Sequence, residues 1–135
     1  LDSNGQLLTS GYTLQDKLLS YGSSNSSWGK TIRDVLISYC TDQGVGATSY
    51  YYYIGKVGVS NSLSNGRPAI LFGWLTSNPS PASVSTDSTK GKVFHAVTAY
   101  GTNGNYFICH YGWSGYSHVL LDGGLVGSCT LFQLN

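Results

Sequence analysis

Charge is what this sequence has least of. Asp, Glu, Lys and Arg make up 10% of its 135 residues and the formal net charge is +1. No basic stripe or arginine–aromatic alternation is present to track a phosphate backbone, so nucleic acid is not an expected partner. Long apolar runs are missing too. None approaches the roughly 18 residues of a membrane span, and the opening "LDSNGQLLTSGY" has neither the charged nor the apolar region of a signal peptide. If the protein is exported, its targeting segment has been removed. Cysteine is sparse: Cys40, Cys109 and Cys129 fit no CxxC spacing and leave one thiol unpaired under any disulfide scheme. Neither a disulfide framework nor a thiolate metal site is expected.

Two familiar catalytic signatures fail as well. "SSNSSWGKT", from Ser23 to Thr31, ends like a phosphate-binding loop, with Gly29-Lys30-Thr31 opening a helix. Such a loop needs a glycine where this chain has Ser24, and a preceding strand where this chain has a helix. Helix capping is the better reading of that stretch. The nucleophile elbow G-x-S-x-G is also absent, because Gly112-Trp113-Ser114-Gly115 brings its second glycine one position early.

At 135 residues the chain is long enough to bury one core, and residues 1–135 are expected to form a single domain. "TLQDKLLSYG" places Leu14 and Leu18 on one helical face, with Thr13 as N-cap and Gly22 as the stop. In "KTIRDVLISYC", Ile32, Val35, Leu36, Tyr39 and Cys40 follow the i, i+3, i+4, i+7, i+8 pattern, so Cys40 belongs to a buried stripe. "ATSYYYYIG" reads as a strand. "VGVSNSLSNG" reads as a short helix with Gly66 at its C-cap, and "AILFGWL" as an apolar strand. Thr76 to Gly91 is rich in Ser, Pro and Thr and reads as a long mobile loop. Strands follow at about 92–100, 105–111, 117–121 and 128–134, with Gly-rich turns between them. Helices first and antiparallel strands afterwards predict an α+β fold.

The chemistry concentrates in "FHAVTAYGTNGNYFICHYGWSG", Phe94 to Gly115, which contains His95 and His110. "GTNGN" marks a hairpin turn. With Tyr100 opposite Asn105, His95 faces His110; with the tighter turn at Asn103-Gly104, His110 is diagonal to His95. Either register puts both imidazoles on one face of the sheet, with Phe94 and Cys109 on the other. A zinc site of His95, His110 and His118 lacks a further carboxylate or thiolate at ligand spacing, so no metal or other cofactor is expected.

The same residues carry a family resemblance. "NGRPAILFGW", "FHAVTAYG" and "NYFICHYGWSG", in that order, resemble the C-terminal lobe of papain-like cysteine peptidases, in particular the streptopain and bacteriocin-peptidase-like branches. The match covers roughly residues 60–122 and, more loosely, the helix at 30–40. The resemblance implies the antiparallel, half-barrel-like sheet of that lobe behind two or three short helices. It makes His95 the catalytic base, His110 the residue that orients it, and Gly112 and Trp113, with Gly115, the supporting Gly-Trp-x-Gly step.

This chain departs from that family at two points. His110 stands where the family has an amide or a carboxylate, although a neutral imidazole nitrogen can still accept a hydrogen bond. The family's nucleophilic cysteine begins a helix well upstream of the histidine, and no such segment is present. Cys40 ends its helix and faces the core, whereas a reactive thiol wants the positive helix N-terminus and exposure. The expectation is therefore the C-terminal part of a papain-like peptidase whose Cys-bearing segment was cleaved, deleted or supplied as a second chain. Its substrates would be peptides or proteins. An inactive papain-like module is the alternative, binding protein or glycan through Tyr50 to Tyr53 and Tyr116. A composition rich in Ser, Gly, Asn and Tyr and poor in Lys and Glu is common in exported bacterial proteins, so a secreted or cell-surface location is expected.

Overall fold

The structure is a computed structural model that describes residue 3 and residues 9–22, 29–77 and 91–135. Two helices come first, α1 (Thr9–Leu19) and α2 (Gly29–Asp42), then β1 (Ala47–Tyr52) and α3 (Val59–Ser64). The rest is strand: β2 (Ala69–Thr76), β3 (Lys92–Asn103), β4 (Tyr106–His110), β5 (Val119–Asp122) and β6 (Val126–Leu134), with a 3-10 turn at Gly123–Leu125. The six strands form one sheet in the order β1-β6-β2-β3-β4-β5, with every neighbouring pair antiparallel. The fold is α+β, as the order of patterns along the chain predicts.

The helices form for the expected reasons, with one difference at the first. α1 begins at Thr9 rather than at a Thr13 cap; Thr13 lies inside the helix and its hydroxyl donates back to the Thr9 carbonyl at 3.2 Å. In α2 the ammonium of Lys30 pairs with Asp34 at 3.0 Å on the exposed side, while Cys40 closes the inward stripe at 7% exposure. α3 ends as Gly66 predicts. Its φ of +70° is open to glycine, and its N–H reaches the Leu63 carbonyl at 3.0 Å. Of the Thr76–Gly91 segment expected to be a loop, residues 78–90 lie outside the described residues, as does most of the "SSNSSWGKT" stretch.

The strands sort side chains onto two faces. One carries Leu71, Leu75, Val97, Cys109, Tyr111, Val119, Leu121 and Cys129, all buried and packed with Val59 and Leu63 of α3. Each side chain of this size contributes roughly 1.5–3 kcal/mol by leaving water. The other face holds Tyr51, Phe72 and Thr130 against the start of α2, where a Cβ on Gly29 would meet Tyr51 and Phe72, and the Thr130 hydroxyl donates to the Gly29 carbonyl at 3.0 Å. Cys40 and His95 thus belong to opposite sides of the sheet.

The hairpin joining β3 and β4 differs from both expected registers. Asn103 pairs with Tyr106 around the turn Gly104-Asn105, where Gly104 has φ +58°. The pairing then slips by one residue, with Gly101 opposite Ile108 but Ala99 opposite Cys109, so that Tyr100 is an extra residue on β3. Glycine at 101 allows this close approach, since a Cβ there would lie 3.2 Å from Ile108 Cδ1. Because side chains alternate strictly, a slip of one residue exchanges the faces. His110 pairs with Thr98 and leaves the His95 face, while Cys109, Tyr111 and Trp113 join it. Cys109 is a packing residue, at 0% exposure, but on the His95 side.

Candidate functional site

His95 sits near the start of β3, opposite Gly73 of β2, half-buried on the core face. Beyond His110 the chain leaves β4 in a tight loop. Tyr111 N–H donates to the Tyr116 carbonyl at 2.9 Å, and Tyr116 N–H to the Trp113 carbonyl at 3.1 Å. Gly112 (φ +101°) and Gly115 (φ +82°) occupy backbone conformations that side chains resist. The Gly-Trp-x-Gly spacing is thus a demand of the loop: its two glycines turn the chain so that Trp113 folds back over β3.

The loop and β3 build an aromatic cluster around His95. The Trp113 ring stacks on the imidazole, with centroids 5.1 Å apart and planes 7° from parallel. Tyr111 lies 5.2 Å from His95 and 5.5 Å from Trp113, and Tyr116 meets Trp113 edge-on at 5.9 Å. His95 Nε2 is 2.9 Å from the carbonyl oxygen of Tyr111. A carbonyl only accepts, so Nε2 carries the proton, and in the neutral ring Nδ1 holds the lone pair.

Tyr111 is the residue that the sequence reading missed. Its ring is fully buried and its hydroxyl donates to the Thr76 carbonyl at 2.8 Å, tying the loop to the end of β2. Burial pushes its phenol well above the usual tyrosine range, with Cys109 adding to the shift, so the hydroxyl remains a donor. What it offers His95 is a backbone oxygen, which leaves no mark in a sequence. Its position between a histidine and a loop glycine was the available signal.

His110 pairs with Thr98, not with His95 or diagonally to it. Its side chain is on the other face, and its Nδ1 accepts the Gly112 N–H at 3.0 Å, which helps hold that glycine in its unusual conformation. His118 is elsewhere again: its Nδ1 lies 3.1 Å from the Tyr100 hydroxyl, which itself donates to the Ser117 carbonyl. Among the described residues no three His, Cys, Asp or Glu side chains gather into a metal-binding group, and no helix is long and apolar enough to cross a membrane.

All three thiols are free and buried. Burial raises Cys109 to about 12 and Cys129 to about 11, so neither forms a thiolate near neutral pH. A recess of about 430 Å³ lined by Tyr51, Tyr53, Phe72, Trp74 and Phe94 lies on the α2 face, and its aromatic walls are therefore separate from the His95 cluster. Comparison with known proteins adds no identification: no family model matches the chain, and no curated protein matches it.

Proposed function

We propose that the chain is the C-terminal part of a secreted bacterial papain-like cysteine peptidase, and that His95 is its catalytic base. The observation that carries the reading is the setting of one ring: His95 is fixed through Nε2 by the Tyr111 carbonyl and covered by Trp113. A carbonyl acceptor does for the ring what an amide side chain does elsewhere. It sets the tautomer and leaves Nδ1 as the nitrogen that takes and returns protons. The stacked indole shields the Nε2–O contact from water, which strengthens it.

The thiol comes from a segment or chain other than residues 1–135, since Cys40, Cys109 and Cys129 are buried. With His95 protonated, the thiolate attacks the peptide carbonyl carbon and forms the C–S bond. Nδ1–H passes its proton to the leaving nitrogen as the C–N bond breaks. Nδ1 then takes a proton from water, whose oxygen attacks the thioester, and the acid leaves with return of thiolate and imidazolium. His110 acts on the loop, through Gly112, and not on the base.

The buried thiols also suit the alternative, a module that keeps the fold for binding alone. One experiment separates the two readings. The natural protein, with whatever precedes Leu1, is treated with a peptidyl electrophile that alkylates activated thiols, with and without His95→Ala. A labelled cysteine outside residues 1–135 whose labelling falls by orders of magnitude in the variant is the expected result. Equal labelling, or no reactive thiol, would leave the binding module as the better account.

A further inference from the structure

A second cleft, of about 230 Å³, opens between α3 and the β1–β6 end of the sheet. In the order β1-β6-β2-β3 it lies up to three strand spacings from β3, about 14 Å, and shares no residue with the His95 cluster. The register explains its lining. Thr48 pairs with Gln133 and Tyr50 with Leu131, so these alternate residues project from one face, beneath Asn61 of α3 and Arg67 just beyond it. Leu131 gives the cleft an apolar floor. Gly58 keeps it open, because a Cβ there would come within 3.0 Å of Leu131 Cδ1.

Arg67 is the one charged residue of the lining. Its backbone is clamped to α3 twice: its N–H donates to the Ser62 carbonyl at 3.0 Å, and its own carbonyl accepts from the Ser62 hydroxyl at 3.1 Å. Pro68 follows and stiffens the chain. The root of the side chain is thus fixed, the residue is exposed, and its guanidinium makes no ion pair among the described residues. Tyr50 is 57% exposed, so much of its ring is open to solvent.

We propose that this cleft binds a carboxylate-bearing sugar unit of a glycan. Arg67 takes the carboxylate through its two-pronged fork, and the Tyr50 ring lies against the C–H face of the pyranose. The Thr48 hydroxyl and the Gln133 amide donate to Asn135 Oδ1 at 3.0 and 3.4 Å, and Asn61 Oδ1 accepts from Asn65 at 3.4 Å. The cleft thus offers sugar hydroxyls the Thr48 and Gln133 oxygens as acceptors and the Asn61 amide N–H as donor. An extended peptide would call instead for main-chain pairing or an apolar anchor pocket. The cleft offers a shallow, polar-rimmed hollow with a single positive charge. This inference stands apart from the peptidase reading and does not need it.

The test is saturation-transfer NMR on the purified chain with glucuronic acid and N-acetylneuraminic acid, with glucose, acetate and a short peptide with a free C-terminal carboxylate as comparisons. The acidic sugars are expected to bind, glucose and acetate at least about tenfold more weakly, and Arg67→Gln to weaken the acidic sugars by about tenfold or more. Tyr50→Ala should weaken them as well, without loss of fold, because the ring is exposed. No binding of either acidic sugar, equal binding of acetate or of the peptide, or binding undiminished in both variants would overturn the proposal.

Discussion

At the scale of single residues, the setting of His95 depends on a tyrosine that acts through its ring, its hydroxyl and its backbone carbonyl at once. The Tyr111 ring fills the core beneath His95, its hydroxyl holds the end of β2, and its carbonyl holds the imidazole. Tyr111→Phe keeps the ring and removes one buried hydrogen bond, so unfolding in urea should show a loss of about 1 kcal/mol; Tyr111→Ala should lose about 3–5 kcal/mol. Equal costs would mean that the ring contributes no packing. The thiols give a pH prediction of definite sign. Folding raises Cys109 to about 12 and Cys129 to about 11, so the unfolded chain ionises first. Their contribution is complete below about pH 8.5, the ordinary thiol value, and is lost as pH rises towards 12. Cys109→Ala should therefore flatten the alkaline fall in melting temperature between pH 9 and 12 relative to its own neutral value. His95 as the candidate base was legible in "FHAV", and so was the nearby Trp113. The carbonyl that fixes the His95 ring was not, because any residue supplies one.

At the scale of elements, periodicity found the helices and strands, and the hairpin register escaped it. The pattern of "TAYGTNGNYFICH" is satisfied by several turns, and the choice among them falls to Gly101, which lets Tyr100 bulge out of the ladder. That single extra residue decides whether His110 or Trp113 shares a face with His95. Gly73 shows the same sensitivity on the other neighbour of β3. It pairs with His95, and the β2–β6 ladder shifts register beside it. A Cβ at Gly73 would lie 2.5 Å from the Leu125 carbonyl oxygen and 3.0 Å from the Gly127 nitrogen, both backbone atoms that cannot turn aside. Gly73→Ala should cost about 1–3 kcal/mol in thermal or chemical unfolding. Gly46→Ala is the control: its Cβ would make ordinary contact with Asn135 at 3.5 Å, and a change within about 0.5 kcal/mol is expected. Similar costs at both positions would show that the crowding at Gly73 relaxes freely.

At the scale of the whole molecule, the order β1-β6-β2-β3-β4-β5 places the last strand of the chain between the first two. Nothing in the sequence announces this, since period-two patterns show which residues share a face but not which distant strand lies alongside. The consequence is that β6 closes the structure. It supplies every partner of β1, pairs with β2, brings Val126 and Cys129 into the core, and anchors α2 through Thr130 to the Gly29 carbonyl. A chain ending at Leu125 would leave β1 with no strand partner, uncover one edge of β2 and remove the Thr130 bond to the start of α2. Domains are stable by only about 5–15 kcal/mol, and the loss of a central strand exceeds that margin. The truncated chain should show no cooperative thermal transition and no fixed near-ultraviolet circular dichroism of its tyrosines and tryptophans. A cooperative transition, with slow amide exchange still present in β2, β3 and β4, would mean that the His95 half of the sheet folds without its closing strand.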